Sequence, residues 1–110
     1  MAAVDPFADY HDYIGSSPSR FYKTTLFQTE RLLLGLDCLE PGQSQDEHRH
    51  AGRDKFYAVL EGRGSFRIGG AERELGPGQI AWAAADVTHS VINPGPDRLV
   101  LLIGIAPEPN

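Results

Sequence analysis

The sequence predicts an all-β domain, a jelly roll or a small closed barrel. First, about eight or nine short runs rich in aromatic and β-branched residues follow one another, each bounded by Gly, Pro, Asn or Asp. Second, no segment carries a helical apolar period with capping signals. Third, a chain of 110 residues, 41% of them hydrophobic and 23% charged, is sized for one core and has an ordinary globular composition.

Residues 1–19 read as an N-terminal arm and residues 20–110 as the single barrel domain. Pro6, Gly15 and Pro18, with the small residues of "GSSPS", leave the arm no useful period. Its Phe7, Tyr10, Tyr13 and Ile14 are too apolar for a solvated tail and are expected to pack, on the barrel or on a second subunit. "RFYKTTLF" opens the strand series. "RLLLGLDCL" then sets Leu32, Leu34, Leu36 and Cys38 on one face by alternation. "KFYAVLE", "GSFRIGG", "AEREL", "QIAWAAA", "HSVIN" and "RLVLLIGIA" follow. "IGGAE" around Gly69 and Gly70 is a tight hairpin, because paired glycines accept the positive φ of a primed turn. "EPGQ", "GPGQ" and "NPGPD" are Pro-Gly turns.

A net charge of −5, without a Lys/Arg cluster, leaves no footprint for nucleic acid. Arg49, Arg53 and Arg63 are interleaved with acids and read as a mixed solvated face. The lone Cys38 cannot close an internal disulfide and fits a small core position in a reducing compartment. "MAAVDPFADYHDY" lacks the basic and apolar regions of a secretory signal, and "LVLLIGIA" is too short to span a bilayer. A cytoplasmic protein without a membrane partner is therefore expected.

Chemistry concentrates in the histidines. His48 and His50, two apart in a strand context, project to one side, a spacing that lets two imidazoles share a cation. His89 opens "HSVIN" and can join them only through the fold. His11 lies in the arm and is expected to be solvated.

The spacing around these residues resembles that of a known superfamily. Gly42, His48, His50, position 55 and Gly62 are separated by five, one, four and six residues; the segment from Gly78 carries His89 and Asn93. This resembles the two motifs of the cupins over roughly residues 30 to 105, with "YAVLEG" and "GPGQIAWAAADVTHSVIN" matching in strand and turn texture. The resemblance implies a double-stranded β-helix, a jelly-roll barrel. It implies that His48, His50 and His89 are metal ligands, that Gly42, Gly62 and Gly78 are turn glycines, and that Asn93 is the closing asparagine. Ala84 and Asp86 depart from the motif's proline and second glycine, which should alter turn geometry only. The ligand glutamate of the motif falls on Lys55.

An ammonium beside a divalent cation is repulsive in a weakly screened barrel. Lys55 can turn away, leaving three histidines and open positions on the ion. The strand can shift so that Asp54 supplies a carboxylate as fourth ligand, although residues 54 and 55 face opposite sides of a regular strand. Or no metal binds, and Lys55 joins the histidines in a pocket for an anionic ligand, as acid, base or Schiff-base former. The first arrangement is favoured, because three intact histidines in two separate motifs are otherwise unexplained.

Tyr57 and Val59 share the parity of Lys55, and Val91 and Asn93 that of His89, so these should line the barrel. Lys55 and Tyr57 are the catalytic candidates. Phe66, Ile68, Ile80 and Trp82 are expected in the barrel core. The resemblance implies a small-molecule ligand or substrate and a divalent transition metal (Fe, Mn, Ni or Zn). A metal-dependent enzyme of dioxygenase, decarboxylase or isomerase type would follow. The alternatives are a metal-free binding or sensor module and an acid-base isomerase using histidine and Lys55. Apolar residues on both faces of "KFYAVLE" and "RLVLLIGIA" predict a homodimer.

Overall fold

The computed structural model describes residues 5–107, so that residues 1–4 of the arm and 108–110 of the last segment lie outside the described residues. Among these, a 3-10 turn at Tyr10–Tyr13 precedes nine strands: β1 (Tyr22–Gln28), β2 (Leu33–Leu39), β3 (Ser44–His48), β4 (Asp54–Glu61), β5 (Gly64–Ile68), β6 (Ala71–Leu75), β7 (Ile80–Ala83), β8 (His89–Ile92) and β9 (Leu99–Ala106). They form two antiparallel sheets, ordered β1-β2-β9-β4-β7 and β3-β8-β5-β6. The chain crosses between the sheets after β2, β3, β4, β6, β7 and β8, a jelly roll of the double-stranded β-helix kind.

The inner faces meet in a core of Leu39, Tyr57, Val59, Phe66, Leu75, Ala81, Val91, Leu99, Leu101 and Ile103. The turns "EPGQ" and "GPGQ" share one device. Gly42 and Gly78 take φ of 87° and 89°, and the glutamine after each folds back. Gln43 Oε1 accepts from the Glu40 N–H at 2.9 Å, and Gln79 Oε1 from the Gly76 N–H at 2.8 Å. Gly62 is required twice over: its φ is 80° and a Cβ there would strike the Arg98 carbonyl.

β2 is buried on both faces. Leu36 and Cys38 point outward with Val100 of β9, and Tyr10, Tyr13 and Ile14 of the arm cover them. The arm thus packs on its own barrel, because this outward apolar stripe needs a cover within the chain. His11 is exposed and pairs with Asp9 at 2.6 Å.

The core expectation fails at β7. Ile80 and Trp82 are 66% and 64% exposed, since the inward parity of that strand belongs to the small Ala81 and Ala83. Phe66 is in the core, and Ile68 packs against it half-buried.

Candidate metal centre

β3 and β8 pair antiparallel with His48 opposite His89. Between Gln45 and His48 the register slips: three steps along β3 match two along β8, from Val91 to His89. This bulge inverts parity, so Gln45 and His48 both face the same cavity although they stand an odd number apart. His50 follows the end of β3 in a turn that is tied down from two sides. Its carbonyl accepts from the Asp86 N–H at 3.0 Å, and the Asp54 carboxylate accepts from the Ala85 N–H at 2.8 Å. Asp86 holds φ 67°, a left-handed conformation that aspartate tolerates better than most residues, so the turn keeps its form without glycine.

His48, His50 and His89 place one ring nitrogen each within 4.8 Å of the others. Asp54 is not with them. It is exposed, on the opposite face from Lys55, and engaged with Ala85; the parity that limited it in the sequence holds in the strand.

The histidine tautomers follow from their partners. His48 Nδ1 lies 2.7 Å from the Asp46 carbonyl and His89 Nδ1 2.9 Å from the Val87 carbonyl. A carbonyl only accepts, so both Nδ1 atoms carry a proton, and a neutral ring so fixed presents its Nε2 lone pair. Those two Nε2 atoms face each other at 3.0 Å. Two lone pairs at that distance repel unless a proton shared between them or a metal ion beside them relieves the repulsion. Nitrogens about 2.1 Å from one ion and at right angles stand about 3.0 Å apart, so the pair fits adjacent metal ligands. His50 Nε2 is buried and has no hydrogen-bond partner. Burial, and then the Lys55 charge, push His50 down to about 4. Burial also lowers His89, against the bond to Val87. Both are therefore neutral near pH 7, the form that binds metal, and the donor set fits a divalent transition ion.

His48 and His50 open on a cavity of about 530 Å³, lined also by Lys23, Thr24, Thr25, Leu33, Asp37, Gln45, Lys55, Ile103 and Ile105. Lys55 is 3% exposed. Its Nζ donates to Gln45 Oε1 at 3.3 Å and sits 4.6 Å from the centroid of the Tyr57 ring. The Tyr57 hydroxyl donates a very short bond to the same Gln45 oxygen, and burial, with the Asp37 charge, pushes that phenol far up. Asp37 is 1% exposed and its Oδ1 has no hydrogen-bond partner. Burial raises Asp37 to about 6, against the Lys55 and Lys23 charges. Burial lowers Lys55 to about 8, with the Asp37 charge opposing the fall.

Two of these groups escaped the sequence. Asp37 was hidden because the leucine alternation marks the outward stripe of β2, under the arm, while the opposite parity enters the barrel. A lone carboxylate inside "RLLLGLDCL" was the available signal. Gln45 was hidden by the bulge, which alternation does not foresee.

The family model described as Cupin domain (Cupin_2) matches residues 35–104. The chain belongs to the cupin family. Among solved cupin-fold relatives, the crystal structure of the TT1209 protein from Thermus thermophilus is 39% identical, with a TM-score of 0.90 over 94% of this chain and 98% of that one. A predicted oxalate decarboxylase from Thermotoga maritima superposes with a TM-score of 0.72 at 26% identity, over 76% of this cupin and 77% of that chain. A curated oxalate-binding protein, also from Thermotoga maritima, is 31% identical over 64 residues, 58% of this chain. The match spans about half of that relative, 53% of its length.

Proposed function

We propose that this cupin holds one divalent transition ion (Fe, Mn, Ni or Zn) through His48, His50 and His89 and binds a small carboxylate-bearing molecule beside it. The observation that carries the reading is the pair of facing Nε2 lone pairs at 3.0 Å, each fixed by a carbonyl bond at the other ring nitrogen. When bound, the ion supplies a Lewis acid that polarises a carboxylate or carbonyl. The chain's own groups orient such a molecule. Lys55 donates to its oxygen, and Gln45, gripped by Tyr57, fixes Lys55. Leu33, Ile103 and Ile105 keep one wall dry. The names of the Thermotoga maritima relatives, oxalate-binding protein and predicted oxalate decarboxylase, support a carboxylate as the ligand class.

Metal analysis of protein purified without chelator tests this, beside His48→Ala. One equivalent of metal, lost in the variant, is expected; no metal in either protein would defeat the reading. Oxalate added to the loaded protein then separates enzyme from binding module: formate and carbon dioxide mark a decarboxylase, saturable binding without conversion a carrier or sensor. A dioxygenase or isomerase would leave oxalate intact and act on a larger carboxylate. The free, buried Cys38 suits the reducing cytoplasm. The exposed Ile80 and Trp82, on the outer side of the five-stranded sheet, suit a homodimer.

A further inference from the structure

Lys55 stands where a fourth protein ligand is expected, and the surroundings of its ammonium are incomplete. An ammonium has three N–H donors. Among the described residues Lys55 has one acceptor, Gln45 Oε1 at 3.3 Å, and the Tyr57 hydroxyl already occupies that oxygen. Asp37 faces the same cavity and balances the charge at a distance, but forms no hydrogen bond or ion pair with Lys55. A buried cation with unused donors calls for an acceptor that the chain does not supply. Lys55 lines the same cavity as His48 and His50, and an ammonium there repels a dication among the histidine nitrogens. A carboxylate lying between Lys55 and the histidine nitrogens answers both problems. It accepts the free N–H groups and puts negative charge between two positive ones.

We propose that Lys55 is an anion anchor in place of a fourth protein ligand, so that this centre takes up its metal and a small carboxylate together. The carboxylate has a short apolar body, since Leu33, Ile103 and Ile105 form the wall beside the polar groups. Metal and anion are then thermodynamically linked: each raises the affinity for the other by the same factor. A carboxylate side chain at position 55 would supply the negative charge from the chain itself and remove the dependence.

This rests on the three-histidine reading, and one titration separates the two. Co2+ affinity of the apoprotein is measured with and without saturating propionate, with propionamide as the neutral isostere, for wild type, Lys55→Met, Lys55→Gln and Lys55→Glu. Thermal unfolding identifies the variants that fold; Met and Gln offer two replacements of similar length. The wild type should bind Co2+ at least about tenfold more tightly with propionate, within the usual range of coupling between sites, and propionamide should do nothing. Lys55→Met and Lys55→Gln should bind Co2+ more tightly than wild type without anion, and their propionate effect should fall to within about twofold. Lys55→Glu should bind tightly and ignore propionate. Co2+ binding that is indifferent to propionate in the wild type, or a propionate effect that persists without Lys55, would overturn the anchor while leaving the metal site standing. Failure of Co2+ to bind under any of these conditions would remove the metal site and the anchor together.

Discussion

Asp37→Asn should make the apoprotein more stable near neutral pH, which is unusual for a change at a fully buried position. The structure buries the carboxylate to 1% exposure, leaves Oδ1 without a partner and gives it only distant cations. Burial accordingly raises its pKa from 3.8 to about 6. The sign follows directly. A group that holds its proton more tightly when folded contributes stability that is fully present below its unfolded pKa and is lost as pH rises through the folded one. At about 1.4 kcal/mol for each tenfold change in proton affinity, the ionised carboxylate costs the fold about 3 kcal/mol above pH 6. Asparagine mimics the protonated form. The two proteins should therefore be equally stable near pH 4, diverge through pH 5, and differ by about 3 kcal/mol in favour of the variant near pH 7. Urea unfolding in the presence of chelator, extrapolated to water at each pH, reads the difference. Titrating histidines are common to both proteins and largely cancel. Parallel profiles for the two proteins, or a wild type that gains on the variant as pH rises, would refute the reasoning.

The partner charge gives a second test. Lys55 lowers the proton affinity of Asp37, so Lys55→Met should move the Asp37 step in the stability profile to a pH above about 6. Asn93→Ala should cost about 3 kcal/mol in urea unfolding, because the fully buried amide donates to the Leu39 and Asp97 carbonyls and accepts from the Gly95 N–H, each at 2.8 Å. Gly62→Ala should destabilise by several kcal/mol, about 3 or more, since φ is 80° and the new methyl would meet the Arg98 backbone. On the proposed homodimer, Trp82→Glu, at a 64% exposed site, should change monomer stability by about 0.5 kcal/mol or less and leave a monomer in sedimentation; an unchanged dimer would exclude that face as the interface, and a wild-type monomer would exclude the dimer.

The barrel was legible because its strands alternate and its turns are chemically distinct. β6 coincides with "AEREL", and the glycines of "EPGQ", "GPGQ" and "IGGAE" all supply a positive φ at Gly42, Gly78 and Gly69. His48 and His89 were legible because they belong to two paired strands and meet in register, whereas His50 lies just past the end of β3 and reaches them from a turn. What alternation could not assign was which face of a two-sided strand enters the barrel. β2 hid Asp37 behind its leucines, and β7 turned Trp82 to the surface and kept its alanines inside.

Lys55 is a different case, because parity with Tyr57 and Val59 already set it on the barrel lining. From the sequence it was a cation intruding on a metal site, and turning its ammonium away from the ion was the favoured remedy. In the structure it is buried on the inner face, set over Tyr57 and opposed by a carboxylate. Burying both an ammonium and a carboxylate without a bond between them lowers stability, and an apolar pair of similar volume would avoid that cost. A stable barrel has no need of them. Their position on the wall of the cavity that receives His48 and His50 is accounted for if the cavity is built to hold a charged guest, with Asp37 offsetting part of the Lys55 and Lys23 charge in the empty barrel and Lys55 meeting the anion when it arrives.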